Sequence, residues 1–176
     1  PRWMDVGRHR PVGGCRIEFD MEQPKMIETK HLFTLTLEVP SIKDLGQTPW
    51  GARKIAQVTG GRFEGERIKG TVHAGPGGDW LLLRNDGVLS LDVRITLETD
   101  DGHLIYMSYR GMRHGPKEVI DRLNRGEKVE PGSYYFRMVP QFETSSEKYS
   151  WLNRMVAVAT GHREPTGPIY TIYEVL

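Results

Sequence analysis

The sequence has little of what several classes of protein depend on. It contains one cysteine, Cys15, so no disulfide can form within the chain, which fits a reducing cytoplasm. No apolar run approaches the roughly 20 residues that a membrane-spanning helix needs, and no signal peptide with an apolar centre opens the sequence. The 24 Lys and Arg residues nearly balance the 23 Asp and Glu residues, unlike the charge typical of proteins that bind nucleic acids or anionic membranes. We therefore predict a cytoplasmic protein with neither nucleic acid nor membrane as a partner.

The chain also lacks the residue spacings that indicate metal or nucleophilic catalysis. Its six histidines stand apart, with no His-x-His or His-x-x-x-His pair, whereas a metal site needs converging ligands. The glycine-rich stretches at 60–61 and 75–78 are followed neither by Lys-Ser/Thr nor by a helix, so they do not match a phosphate-binding loop or a dinucleotide fingerprint. No serine lies in a nucleophile-elbow pattern. We predict no metal and no cofactor.

Three β-rich segments joined by two glycine turns dominate the middle of the chain. Residues 80–84, 88–99 and 103–110 are separated by the triplets Asn85-Asp86-Gly87 and Asp100-Asp101-Gly102. A polar-Asp-Gly triplet between such segments is a strong hairpin signal. The length of each loop then decides which residues face each other across the hairpin.

The two possible loop lengths give different pairings. A three-residue loop, with its glycine in the left-handed position, pairs Leu97 with Ile105, whereas a two-residue turn pairs Leu97 with Tyr106 and mixes apolar with polar residues. Because a slip of one residue moves every side chain to the other face, the register with the cleaner segregation is favoured. We predict three-residue loops at both turns, with Asp92 directly opposite Arg110.

This register gives the three segments two different faces. The first predicts an apolar core and carries Leu81, Leu83, Leu89, Leu91, Val93, Ile95, Leu97, Ile105, Met107 and Tyr109. The second carries Trp80, Asp92, Arg94, Thr96, Tyr106, Ser108 and Arg110. It is either a solvated outer surface, as is usual for one side of an antiparallel sheet, or the lining of a polar cavity. A cavity is considered because aromatic and charged side chains seldom cluster so closely on an outer surface.

Further short segments predict more strands. Residues 27–39 and 133–142 alternate apolar and polar side chains, and residues 53–59 are also predicted to be extended. Residues 151–160 and 168–175 are predicted to form a final hairpin. Together with the central segments, about nine or ten short strands are expected, a number typical of an antiparallel barrel or sandwich.

One helix interrupts the strands, over Pro116 to about Arg125, because its apolar residues share a face and a glycine follows. We predict an all-β fold over residues 27–176: a single antiparallel β-barrel, lipocalin-like in architecture, with one short capping helix near residues 116–125. Residues 1–26 are predicted to be a tail that self-association orders. Residues 41–51 are predicted to be a loop, with Trp50 packed over a barrel end or acting as a lid.

An ordered set of motifs resembles a known family. These motifs are Gly60-Gly61-Arg62-Phe63-Glu64-Gly65, Lys69-Gly70, Gly77-Gly78-Asp79-Trp80, Asp86-Gly87, Arg94, Glu98-Thr99-Asp100-Asp101-Gly102, Ile105-Tyr106, Arg110-Gly111, Tyr134-Tyr135-Phe136-Arg137, Phe142-Glu143-Thr144 and Tyr149-Ser150-Trp151-Leu152-Asn153. From about residue 28 to residue 176 the chain resembles the bacterial and fungal family called domain of unknown function 3237. The resemblance implies a compact β-barrel that often self-associates, and it implies no established reaction.

The residue types that remain support acid–base chemistry or plain binding. An Asp or Glu moves a proton if burial raises its pKa, Arg holds a carboxylate or an enolate oxygen, and Tyr donates to an oxyanion. The candidate catalytic residues are Asp79, Asp92, Arg94, Tyr106, Arg110 and Glu143. The candidate ligand-binding residues are Trp80, Tyr134 and Asn153.

Structural roles compete with these chemical roles. Asp92 and Arg110 would form a cross-strand ion pair, Asp79 would cap the turn at Gly77-Gly78, and Asn153 would close a turn. Two functional hypotheses therefore stay open. The chain is a cofactor-independent isomerase, lyase or cyclase acting on a small oxygenated or enolisable molecule, or it is a non-catalytic barrel that binds such a molecule. A structural oligomer subunit is a third possibility. In each case we expect a homodimer or a homotetramer, because open edge strands are usually paired or covered.

Overall fold

The computed structural model describes residues 26–75 and 77–176, so the predictions made for residues 1–25 lie outside the described residues. It contains eleven strands, which are β1 Thr29–Glu38, β2 Ile42–Thr48, β3 Gly51–Gln57, β4 Gly60–Glu64, β5 Lys69–Val72, β6 Gly78–Leu83, β7 Leu89–Thr99, β8 Leu104–His114, β9 Tyr135–Glu143, β10 Ala157–Glu164 and β11 Gly167–Val175. Helix α1 spans Lys117–Asn124, and short 3-10 helices span Pro131–Ser133 and Ser150–Arg154.

Eight of these strands form a closed antiparallel ring. Their order is β7, β5, β4, β1, β11, β10, β9 and β8, and β8 pairs back onto β7. The other three strands extend the same sheet beside the ring. Strand β6 pairs with β7, β3 pairs with β6, and β2 pairs with β3. We call β2, β3 and β6 the rim extension. The predicted single antiparallel β-barrel is confirmed.

The central hairpins have the predicted register. Asp92 lies opposite Arg110 and Leu97 lies opposite Ile105. Gly87 and Gly102, the last residues of the two three-residue loops, both have a φ of 82°, in the left-handed region that glycine adopts most readily. The apolar face therefore points into the barrel, and the face that carries Arg110 points outward.

The two ends of the barrel are closed differently. At one end, the buried rings of Phe33, Phe63 and Phe142 pack together, with centroids 5.3 Å and 5.9 Å apart. At the other end α1 covers part of the opening and buries Leu123, as expected for a capping helix. Among the residues described, no helix has the length and apolar character needed to cross a membrane.

Three local predictions were wrong. Residues 42–48 form strand β2 instead of a loop, and Trp50 is 74% exposed instead of packed over the barrel end. Strand β2 is an edge held by hydrogen bonds to β3 and by an ion pair of 3.1 Å between Asp44 and Lys54, so it needs no alternating apolar pattern. Residues 150–154 form a 3-10 helix that buries Leu152, so the last hairpin begins at residue 157 and not at residue 151.

The close approach of β5 to β7 gives a test of the barrel. A Cβ at Gly70 would lie 2.0 Å from the carbonyl oxygen of Glu98, so Gly70→Ala forces the two strands apart. We expect this change to lower the free energy of unfolding by about 1–3 kcal/mol, as overpacking usually does, in urea denaturation.

The matched control is Gly132→Ala, because a Cβ at residue 132 would meet nothing within 4 Å. We expect it to change the free energy of unfolding by less than about 0.5 kcal/mol. Equal stability of the Gly70→Ala protein and the native protein would contradict the observed strand pairing.

Candidate functional site

The barrel encloses a cavity that opens at the end covered by α1. Its volume is about 570 Å³, and its mouth lies between α1, the rim extension and the β10–β11 turn. Leucines form much of its wall because alternate residues of each strand point inward. The ionisable or hydrogen-bonding side chains that line it are Asp44, Lys54, Asp79, Tyr109, Arg113, Asn124, Glu127, Arg163, Glu164 and Tyr170.

Asp79 is a buried carboxyl group in the cavity wall. It follows Gly78 at the start of β6, shares the inward face with Leu81, and is 8% exposed. Its Oδ1 accepts a hydrogen bond of 3.0 Å from the backbone N–H of Asp92 on β7, so Asp79 does not cap the preceding turn. Desolvation raises the pKa of Asp79 to about 7, although this hydrogen bond and the charge of Arg113 act in the opposite direction. Asp79 can therefore gain or lose a proton near neutral pH.

Two buried tyrosines extend this polar region. The rings of Tyr109 on β8 and Tyr170 on β11 meet edge to face, with centroids 5.4 Å apart. Burial raises the pKa of both phenols well above its ordinary value, and the nearby charge of Asp79 adds to the effect, so both stay protonated and can donate. Gly161 leaves room for Tyr170, since a Cβ there would lie 2.9 Å from the Tyr170 ring.

Arg113 is a half-buried cation in the cavity wall. Its guanidinium carbon lies 5.9 Å from the ring centroid of Phe136, and its Nε is buried without a hydrogen-bond partner in the part of the chain that the structure describes. None of the ion pairs between described residues involves Arg113. Burial lowers the pKa of Arg113 from its ordinary value, but guanidinium groups in proteins keep their charge.

Arg163 is a second cation in the cavity wall, and unlike that of Arg113 its side chain forms a hydrogen bond with another described residue. Its Nη1 donates a hydrogen bond of 2.6 Å to the carbonyl oxygen of Glu164. Its backbone N–H donates a hydrogen bond of 2.8 Å to the hydroxyl oxygen of Tyr134. The predicted ligand-binding residue Tyr134 is thus buried, and its hydroxyl group holds β10 in place beside the cavity.

Apart from Asp79, none of the predicted site residues lines the cavity. The second face of the central hairpins is the outer surface of the barrel, the first of the two alternatives. Arg94 contacts Trp80 there, with 5.5 Å between the guanidinium carbon and the ring centroid. Asp92 pairs with Arg94 at 3.2 Å, so the expected ion pair with Arg110 does not form. The predicted site residues with exposed side chains are Trp80, Arg94, Tyr106, Arg110, Glu143 and Asn153.

Asn153 has the structural role that was weighed against ligand binding. Its Oδ1 accepts from the Thr144 N–H and its Nδ2 donates to the Thr144 carbonyl oxygen, each at 2.9 Å, so it closes the segment after β9. Glu143 lies opposite Tyr106 on the outer surface. Ligand binding by these outward residues stays a prediction.

Four cavity residues were missed in the sequence: Tyr109, Arg113, Arg163 and Tyr170. For Arg113 a signal was present, because it lies four residues after Tyr109 on the same face of β8. Nothing local distinguishes the inward side of β10 and β11. Among the described residues, no three His, Cys, Asp or Glu side chains cluster in a way that would hold a metal ion.

Fold and cavity together define the class of protein. The chain is a closed antiparallel β-barrel protein whose interior cavity opens beside a short helix. The model of the family described as "Protein of unknown function (DUF3237)" matches residues 27–175, and the chain belongs to this family. The family predicted from the sequence motifs is therefore confirmed, over nearly the same range.

Several relatives share most of their length with this chain. A UPF0311 protein of Rhodopseudomonas palustris is 35% identical over 150 residues, which cover 85% of this chain and 97% of the relative. A crystal structure of a conserved protein of unknown function from that species has a TM-score of 0.84 at 34% identity, with 87% of this chain and 100% of that chain covered. A beta-barrel like protein from Acinetobacter baumannii AYE has a TM-score of 0.76 at 40% identity, with coverage of 88% and 99%.

A more distant likeness extends to a fungus. A crystal structure of an enzyme from Penicillium herquei has a TM-score of 0.67 at 21% identity, and the match covers 88% of this chain and 98% of that chain. At this identity the likeness shows the fold alone.

The buried carboxyl group gives a prediction about stability and pH. The pKa of Asp79 rises from 3.8 to about 7 on folding, so the folded chain holds a proton that the unfolded chain releases between these values. The contribution of this proton to the free energy of unfolding is fully present below pH 4 and is lost as the pH rises to 7. Asp79→Asn keeps the hydrogen-bond acceptor and cannot ionise. We expect the variant to match the native protein near pH 4 and to exceed its free energy of unfolding by on the order of 4 kcal/mol at pH 8.

Urea denaturation at intervals from pH 4 to pH 8 measures this difference. Asp100→Asn is the control, because Asp100 is exposed and paired with Lys69 on the surface. It should show no advantage that grows with pH. A stability difference between Asp79→Asn and native protein that is constant across the range would contradict the burial of an ionisable Asp79.

Proposed function

We propose that the chain is a cofactor-independent enzyme that transfers a proton within a small oxygenated, enolisable molecule bound in the barrel cavity. One observation carries this proposal: an acid whose pKa is near 7 shares the barrel cavity with two protonated phenols and a guanidinium that has no ion-pair partner among the described residues. A general acid–base group works best when its pKa lies near the working pH. Perturbed carboxyl groups in clefts are also more frequent at functional sites than elsewhere.

The geometry supports a division of labour in the cavity. Ionised Asp79 takes a proton from a carbon atom next to a carbonyl group, which becomes an enolate. The hydroxyl groups of Tyr109 and Tyr170 and the guanidinium of Arg113 stabilise the negative oxygen, because donors on buried or half-buried side chains act more strongly than donors in bulk solvent. Protonated Asp79 then returns the proton.

In an isomerase, Asp79 returns the proton to a different atom of the enolate. In a lyase, the enolate expels a group from the neighbouring carbon as the carbon–carbon double bond forms, and Asp79 gives its proton to that leaving group. In a cyclase, the enolate carbon attacks a second carbonyl carbon of the same molecule, and Asp79 protonates the alkoxide that results.

This proposal keeps the chemistry inferred from the sequence and moves it to other residues. The anion-holding role proposed for Arg94 and Arg110 passes to Arg113, and the oxyanion role of Tyr106 passes to Tyr109 and Tyr170. Of the predicted proton carriers, Asp79 alone lines the cavity. The fungal enzyme with the same fold is consistent with catalysis on this scaffold, at an identity that shows the fold alone.

A non-catalytic binding barrel is the second candidate. The observation that favours it is the apolar wall formed by Leu37, Leu81, Leu89 and Leu91, since such a wall suits a carrier as well as an enzyme. A purely structural role is less well supported, because a structural barrel would be expected to fill its interior with side chains.

Proton exchange discriminates the enzyme from the carrier. A thermal-shift screen of hydroxylated aromatic and carboxylic metabolites first identifies molecules that stabilise the protein. Proton NMR in D2O then follows exchange at the carbon atoms next to each carbonyl group. We expect native protein to catalyse the exchange, and Asp79→Asn to keep the thermal shift while its exchange rate falls by about 100-fold or more.

Arg94→Met tests the outer face in the same assays. We expect it to keep both the thermal shift and the exchange, because Arg94 lies outside the cavity. If the ligand no longer stabilises this variant, the binding site lies on the outer surface of the barrel. Binding without exchange in the native protein would establish the carrier.

We also propose that the chain forms a homodimer or a homotetramer through the free edge of β2. Ile42 and Leu45 on this edge are 48% and 56% exposed, and unpaired edge strands are usually protected from contacts with other chains. Light scattering at micromolar concentration should give the mass of a dimer or a tetramer, and Ile42→Lys with Leu45→Lys should lower it to that of a monomer. A monomeric native protein would end this proposal.

A further inference from the structure

We propose that the ligand of the cavity is an organic carboxylate with an apolar body, and that its carboxylate group binds Arg113. This inference rests on the proposed function in one respect, since it places the ligand in the same cavity. It adds the chemical class of the molecule, and it also holds for a carrier that does no chemistry.

Some charged groups around the cavity have a partner of opposite charge, and Arg113 has none among the described residues. The carboxylates at the mouth have cationic neighbours: Asp44 pairs with Lys54 at 3.1 Å, and Glu127 pairs with Arg122 at 2.9 Å. Arg113, near the end of β8, has no such partner among the described residues. A guanidinium that is partly withdrawn from water and has no counterion is unfavourable, so the cavity is suited to an anion from outside the chain.

Asp79 does not supply the missing counterion. It forms no ion pair with Arg113, and its charge acts on Arg113 less strongly than burial does. Below about pH 7 the Asp79 carboxyl group is mostly neutral as well. The polar part of the cavity therefore has a net positive charge near neutral pH when no ligand is bound.

The orientation of Arg113 favours a planar carboxylate. Its Nε is buried without a partner and does not itself meet a ligand, but Arg113 lines the cavity. The two terminal nitrogens of a guanidinium present parallel N–H bonds that match the two oxygens of a carboxylate. The ring of Phe136 lies 5.9 Å from the guanidinium carbon and restricts the side chain. Arg163 is less available, since its Nη1 already donates to the carbonyl oxygen of Glu164.

The rest of the wall determines the body of the ligand. Leu37, Leu81, Leu89 and Leu91 line the cavity, and they offer no hydrogen bonds to a sugar or to a polyphosphate. A phosphate group would also need more donors than one unpaired guanidinium. The volume of about 570 Å³ lies within the range of small-molecule sites, which is roughly 300–1,000 Å³. An amphipathic carboxylate of modest size fits these features best.

A matched pair of fluorescent probes tests the charge preference without knowledge of the natural ligand. The anionic probe is 8-anilinonaphthalene-1-sulfonate, and N-phenyl-1-naphthylamine has the same aromatic rings without the charge. We expect native protein to bind the anionic probe more tightly. Arg113→Met should lower the affinity for the anionic probe by about 10-fold or more, as the loss of a charged hydrogen bond does. Its affinity for the neutral probe should be almost unchanged.

The neutral probe also reports folding, because a collapsed cavity would lose both probes. If Arg113→Met binds neither probe, Arg113→Lys is measured instead, because lysine keeps the positive charge without the paired N–H groups. We expect Arg113→Lys to bind the neutral probe with native affinity and the anionic probe more weakly. Arg62→Met is the control, since Arg62 is exposed on the outside of β4, and neither affinity should change. Equal native affinity for the two probes, or full anionic affinity without Arg113, would overturn the inference.

Displacement of the anionic probe tests the carboxylate itself. We expect 4-phenylbutyrate to displace it at a concentration about 10-fold lower than 4-phenylbutyramide, which differs only in the charged group. Equal potency would overturn the inference. Asp79→Asn should keep this selectivity, so a failure of proton exchange and a failure of carboxylate binding are separate results.

Discussion

The pairing of β7 with β8 is the constraint on which the rest of the molecule depends. It runs from Leu89 opposite Arg113 to Glu98 opposite Leu104, and it closes the ring of eight strands. Because side chains alternate along a strand, this one register decides which of them meet water and which meet the interior. A shift of β8 by one residue would turn Tyr109 and Arg113 outward, and the cavity would lose both of these groups.

The polar cluster depends on the same pairing for its electrostatics. Asp79 reaches across to β7 and accepts the N–H of Asp92, which fixes one oxygen of the carboxyl group. The hydrogen bond compensates only part of the cost of burial, so the acid stays easy to protonate. Tyr170 reaches the same region from β11, beside a glycine that makes room for its ring. Side chains from strands that are distant in sequence thus meet in one small polar region of the cavity.

Much of the fold was predictable because its signals are local. Gly87 and Gly102 mark the loops, and the apolar alternation fixes the register between them, so the central hairpins were predicted pair by pair. Strand β2 was missed because an edge strand with both faces in solvent has no hydrophobic pattern. Trp50 has the composition of a packing residue, yet the hairpin that carries it extends beyond the core.

The candidate site was less predictable for a related reason. Charged residues on a strand are normally assigned to the outside, and this rule works for Arg94 and Arg110 but fails for Arg113. Tyr109 was assigned to the apolar face, which is the lining of the cavity, but a phenol among leucines gives no local sign of a polar site. Arg163 and Tyr170 come from strands whose inward side is set by pairing with distant partners. Only closure of the barrel brings these residues beside Asp79.

The rim extension has a consequence for how such barrels diversify. Strands β2 and β3 lie outside the closed ring, and α1 joins β8 to β9 without taking part in the sheet. Both border the mouth of the cavity, while the polar groups sit on strands within the ring or, for Asp79, directly beside it. Substitutions in these parts can therefore change the length, width or charge of the cavity mouth with little effect on the paired strands of the ring. The residues that shape the mouth and the residues that form the wall of the barrel therefore lie in separate parts of the chain.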